Sequence, residues 1–147
     1  MTHGEKEEWL SAITTGNLQG MEFLSRWGDY LRAIDNVLDE DQWDRVHLTR
    51  AFALGCDCFS SQFYIRNLPQ LQMIVLVATC ILADSVSFEK SPELWKRQWA
   101  DVLRHADGHV VLAVALICGG WDHVRKLSPV FLTAAYYEHK QNHGIPA

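Results

Sequence analysis

Apolar residues along this chain recur at steps of three and four, the spacing that puts side chains on one face of an α-helix, and nowhere sustain the alternation of a strand. The clearest run is Leu24, Trp27, Leu31, Ile34 and Leu38, a narrow seam like that of a coiled coil, with Glu22, Arg26, Asp29, Arg32, Asp35 and Asn36 on the remaining surface. Such a seam asks for one long partner helix, in this chain or in another. Upstream, Thr2 and Glu5 have capping-box spacing, and the short helix they open through Trp9 and Ile13 should stop at Thr14-Thr15-Gly16.

Downstream, Asp39 and Gln42 repeat the capping-box spacing and predict a third helix through Trp43, Val46 and Phe52 towards Phe63. Gly55 and Cys56-Asp57-Cys58 lower its helix propensity and predict a kink. Asn67-Leu68-Pro69 reads as a break, because the residue before proline is pushed out of the helical region. The segment from Gln70 to about Asp84 is apolar on nearly every face, so it is expected at the centre, covered all round.

Ser91-Pro92-Glu93 supplies a serine N-cap, a first-turn proline and an acid, and opens a helix whose Trp95, Trp99, Val102 and Leu103 should face the core. Asp107-Gly108 caps the apolar helix Val110 to Cys118, which Gly119-Gly120 ends. Ser128-Pro129 opens a last helix to around Lys140, leaving Trp121 to Lys126 in a polar loop. The expectation is an all-α fold: one domain, residues 1–147, a bundle of about six or seven helices around apolar central helices.

Composition narrows the partners. The formal charge is −5 and the thirteen Lys and Arg are scattered, so a general phosphate-backbone binder would work against its own field, and no nucleic acid is expected. Leu71 to Ala83, the longest apolar stretch, is shorter than the roughly 20 residues that span a bilayer, which predicts no membrane insertion. The Glu-rich start, Met1 to Trp9, is unlike a signal peptide, and Cys80 and Cys118 sit in apolar runs as small hydrophobes. A reduced cytoplasmic setting is expected.

Candidate chemistry is sparse. His139 and His143, four apart with Glu138 beside them, have the spacing of two metal ligands on one helix face, but Asn142, Gly144 and Pro146 suggest the chain is leaving the helix there. His105 and His109 share the spacing across Asp107-Gly108, which separates two helices. Cys58 with His47 and Asp57 forms a nameable nucleophile triple, yet any chain with seven histidines offers such sets. No phosphate loop, nucleophile elbow or HExxH signature is present, and no cofactor is expected. Among the six tryptophans, Trp121 stands apart in its polar setting of Asp122, His123, Arg125 and Lys126, a candidate for partner contact.

The stretch Leu112 to Ala135 has a small-residue apolar helix, Gly119-Gly120, a loop ending in Ser128-Pro129, and Leu132-Thr133-Ala134. It resembles part of the DUF6931 family of small helical bacterial proteins, and Ala53 to Cys58 is a second, shorter likeness. Where that family has a proline-rich loop, this chain has Trp121-Asp122-His123-Val124-Arg125-Lys126. The resemblance implies a bacterial helical domain and brings no catalytic residue with it.

Together these features predict a non-catalytic helical interaction module, an adaptor, small chaperone or accessory subunit that meets a protein partner or itself through Trp121 and its polar neighbours or through Leu31 and Ile34. The alternatives are a metal- or histidine-dependent enzyme, with His139 and His143 as ligands, and a helical protein that binds a small ligand in a pocket between its helices lined by the aromatic residues.

Overall fold

The structure, a computed structural model, describes residues 3–39 and 44–143, with side chains described as far as Thr133 except those of 3, 39 and 132. The chain is all-α: among the described residues there are seven helical segments and no strand. They are α1 (His3–Thr14), α2 (Leu18–Asp39), α3 (Arg45–Phe59), α4 (Gln62–Arg66), α5 (Leu68–Glu89), α6 (Leu94–Arg104) and α7 (Asp107–His143). They fall into two compact units, Met1–Gln72 and Met73–Ala147.

In the first unit α1 ends where Thr14-Thr15-Gly16 predicts. Thr15 and Gly16 take φ values of 50° and 78°, and the Gly16 N–H donates to the Ser11 carbonyl at 2.9 Å, a left-handed helix stop. Asn17 then caps α2, its side-chain oxygen accepting from Gly20 N–H at 3.0 Å. Helix α2 packs against three short helices, α1, α3 and α4, in place of the one long partner that its seam predicts.

Three partners demand different faces of α2. Leu24 and Trp27 of the seam are buried with Phe23, but farther along burial passes to Ala33 and Val37, which join Ala51 of α3, while Leu31, Ile34 and Leu38 are half-buried. Phe23 stacks on Phe63 and Tyr64 with ring centroids 5.9 and 5.7 Å apart, and Trp27, Tyr30 and Phe59 form an adjoining aromatic group. This aromatic layer is the core of the unit.

Two expectations for α3 are corrected. Its N-cap is Asp44, whose side chain accepts from His47 N–H at 2.9 Å, while Asp39 ends α2; Gln42 lies outside the described residues. The kink predicted at Gly55 is not what interrupts the run towards Phe63: Gly55 lies inside α3, and the interruption falls at Ser60-Ser61, where the Ser60 N–H closes α3 on Cys56 and Cys58 carbonyls and Ser61 caps α4. Arg26 ties α2 to α3, reaching the Asp57 carboxylate and backbone carbonyl, both at 3.0 Å.

In the second unit α5 runs five residues past its predicted end, to Glu89. It is not covered all round: Val75, Ala78, Leu82, Ser85 and Val86 are buried, whereas Met73, Leu76, Val77 and Cys80 are exposed. By length and composition α5, at 22 residues and a mean hydropathy of 1.9, could cross a bilayer, so the length argument against insertion does not hold for it. The stretch Leu94–Phe131 also qualifies, at a mean hydropathy of 1.4, but it is broken between Arg104 and Asp107 and again at Gly120.

Gly120 has φ 76° and ψ −176°, so α7 is two helical pieces in one, and the predicted stop at Gly119-Gly120 is this kink. The second piece begins at Trp121 and continues through Ser128-Pro129 to His143. The predicted polar loop is therefore helix, and Pro129 is an interior residue that forgoes one backbone hydrogen bond.

Candidate functional site

Helix α6 is strongly amphipathic, and its apolar face points outward. Trp95, Trp99 and Val102, at steps of four and three, are each just over half exposed (52%, 53% and 54%), and Leu94 at the helix start is 61% exposed. The side that packs carries Ala100, which is buried, and the half-buried Leu103. The expectation that Trp95 and Trp99 belong to the core is corrected: periodicity marks an apolar face without saying what covers it.

That outward face is held in place by its own polar edge. Trp95 Nε1 donates to a Glu93 carboxylate oxygen at 2.8 Å, Lys96 pairs with the same carboxylate, and the Lys96 ammonium lies 5.4 Å from the Trp95 ring and 5.9 Å from that of Phe88. Phe88 meets Trp95 edge-on at 5.9 Å. Hydrogen bonds from Lys96 and Trp95 hold the Glu93 carboxyl below its ordinary pKa, so it stays ionised. Arg97 donates to the Ser91 and Pro92 carbonyls of the α5–α6 connection at 2.8 and 2.9 Å, and Arg104 ties the last turn of α6 to Glu89 at the end of α5 at 2.6 Å.

A second feature of this unit is an apolar groove of about 480 Å³ between α5 and α7. Helix α5 lines it with Met73, Ile74, Val77, Ala78 and Ile81, and the other wall is Ala106, His109, Leu112, Ala113, Leu116 and Val124. Among the described residues, His109 is the one lining residue with a side-chain nitrogen or oxygen. Its Nδ1 lies 3.0 Å from the Ala106 carbonyl oxygen.

The residues singled out by sequence are dispersed. Trp121 is 67% exposed at the start of the second piece of α7, with Asp122, Arg125 and Lys126 also exposed and His123 half-buried. The His123 ring lies against Gly119, where a Cβ would stand 2.4 Å from its Cδ2. Ile34 packs against the Ala33, Val37 and Ala51 cluster and Leu31 is half-buried, so this part of the seam is taken up largely within the chain. His105 caps the end of α6 and His109 lies in the first turn of α7, across the predicted helix junction.

His139 and His143 both lie within α7, which runs on where Asn142 suggests an exit; their side chains fall outside the described residues, as do Gly144 and Pro146. Among the described residues no three His, Cys, Asp or Glu side chains gather as a metal site would require.

The nucleophile triple does not assemble. Cys58 is fully buried, and burial, aided by the Asp57 charge, pushes its thiol up to about 12, so almost no thiolate exists near neutrality. His47 is turned to Asp44 at 2.5 Å, and Asp57 is engaged by Arg26. The outward face of α6 and the α5–α7 groove were missed in the sequence because both consist of residues that look like core. Comparison with family models, curated proteins and solved structures gives no match to this chain.

Proposed function

We propose that this chain is a non-catalytic helical interaction module of a bacterial assembly, working in the cytoplasm and meeting a protein partner or a second copy of itself. The observation that carries the reading is the outward face of α6, where two tryptophans and a valine stand over half exposed in one stripe. Trp is enriched at the centres of protein interfaces, and an apolar stripe on a well-anchored helix offers a partner a surface that needs no rearrangement. Trp121 adds a third exposed tryptophan in the same unit. The resemblance to the DUF6931 family supports the bacterial part of the reading alone.

Charge fits this division of labour. The first unit carries six Lys and Arg against eleven Asp and Glu, the second seven of each, so the net acidity belongs entirely to the unit without the α6 face. A partner approaching α6 meets a neutral unit. The test pairs affinity capture from the native cell with sedimentation of the purified chain. The wild type should retain a stoichiometric partner or self-associate, and Trp95→Ser with Trp99→Ser should lose that association while keeping the wild-type helical melt. Equal retention by both forms would remove the α6 face from the reading.

A second reading is favoured by α5, whose apolar window is only 28% buried in the chain. In that reading α5 sits in or on a bilayer. Fractionation decides: release of the chain from membranes by salt or carbonate counts against a spanning helix, and release by detergent alone supports one.

A further inference from the structure

The geometry points to the α5–α7 groove as a binding site for a single-chain lipid carboxylate, that is, a fatty acid held as a monomer. At about 480 Å³ the groove lies within the range of roughly 300–1,000 Å³ that small-ligand sites occupy. A partner helix, about 10 Å or more across with its side chains, needs a long open trough. The size therefore favours a small molecule over a protein segment.

The lining chooses the ligand class. Ile74, Val77 and Ile81 on one wall face Leu112 and Leu116 on the other, with Ala78 and Ala113 as the small residues between them. A ligand carrying several polar groups would leave them without partners against these walls, whereas a hydrocarbon chain loses nothing by entering. One polar contact is offered, and it comes from His109.

The state of that imidazole follows from its neighbour. The Ala106 carbonyl can only accept, so at 3.0 Å the His109 Nδ1 carries the hydrogen and Nε2 is left as the ring atom for a ligand. A carboxylate, ionised before it enters, accepts a charge-assisted hydrogen bond from Nε2 when the ring carries a second proton taken from solvent. Among the described residues, no acidic one lines the groove to compete for that contact. An alcohol would gain a neutral hydrogen bond in the same place, and an alkane none.

The test uses the delipidated full-length chain with monomeric dodecanoate and 1-dodecanol, followed by calorimetry. Dodecanoate should bind saturably, one per chain. Ala113→Phe, which fills the groove, and Leu116→Ser, which places a hydroxyl on its half-exposed wall, should each weaken it at least tenfold at an unchanged melting temperature. Leu116→Ser decides the matter if Ala113→Phe does not fold. His109→Leu should weaken dodecanoate about tenfold and dodecanol little; equal loss of both would overturn the carboxylate contact. The site is overturned if dodecanoate fails to saturate, if both groove variants bind as the wild type does, or if the chain takes up anionic vesicles but not the monomer. Trp95→Ser should leave dodecanoate binding intact, so failure of the α6 surface and failure of the groove are separate results.

Discussion

The ring of Tyr30 lies directly against the backbone of Gly55: a Cβ at Gly55 would stand 3.0 Å from Tyr30 Cε2 and 3.3 Å from Cδ2. Helices α2 and α3 approach each other here, and the missing side chain is what lets an aromatic residue fill the gap. Tyr30 cannot easily retreat, because Trp27 and Phe59 hold it with centroids at 5.8 and 5.3 Å.

Gly55→Ala should therefore destabilise the chain despite alanine's better helix propensity. Overpacking typically costs about 1–3 kcal/mol, and the propensity gain inside a helix is about 1 kcal/mol. A net loss of about 1 kcal/mol in urea denaturation is the expected outcome. A gain in stability would show that Tyr30 moves aside freely.

Cysteine reactivity should split by position. Cys56 and Cys80 are exposed, while Cys58 is fully buried with its thiol pushed up to about 12. Burial also raises the Cys118 thiol. In the folded protein near neutral pH, a thiol reagent followed by mass spectrometry should modify Cys56 and Cys80 first and reach Cys58 only on unfolding. Rapid labelling of Cys58 would mean that α3 opens locally or that the thiol is activated.

How much of this was legible depends on what each signal reports. Helix stops written in backbone chemistry were readable: Gly16 and Gly120 both adopt positive φ where the glycine pattern predicts an end. Starts were less so, since Asp44 caps α3 although Asp39 has the same chemistry and a better-looking Gln42 behind it. Ser91 lies two residues before the observed N-cap, Glu93, and accepts from its N–H at 3.2 Å, while Ser128-Pro129 lies inside a helix. The apolar faces of α5 and α6 were visible as faces, but whether a face meets its own chain is a property of packing. Gly55 was misread for the same reason: its helical cost was clear, and the Tyr30 ring that repays it was not.

Helix α3 should show an acid-dependent weakness at its start. Asp44 accepts from His47 N–H, and this hydrogen bond, with the His47 side chain adding to it, holds the carboxyl below its ordinary value of 3.8. A pKa lowered by folding gives stability that is present above the unfolded value and lost as pH falls through the folded one. Helicity near α3 should therefore be constant down to about pH 4 and decline below it. Asp44→Ala should lower the melting temperature at neutral pH and flatten the acid response. An unchanged acid limb would place the titrating group elsewhere.

The tryptophans of the second unit should separate stability from association. Trp99 is 53% exposed and Trp121 is 67% exposed, so truncating either should cost less stability than truncating a side chain packed into the core. Ile34, half-buried against Ala33, Val37 and Ala51, gives the contrast: Ile34→Ala should lower the melting temperature clearly, towards the 2–5 kcal/mol scale of core truncation. Association should rank the other way. A tryptophan at the centre of an interface costs about 2 kcal/mol or more of binding when removed. Trp99→Ala should therefore weaken partner binding or self-association about thirtyfold or more, with Ile34→Ala affecting it only through the unfolded fraction. Trp121 sits beyond the Gly120 kink, and its variant reports whether the contact extends past α6. If Trp121→Ala binds as the wild type does while Trp99→Ala does not, the interface is confined to α6. If Trp99→Ala unfolds the domain, that residue is part of the core after all, and the outward face of α6 loses its role.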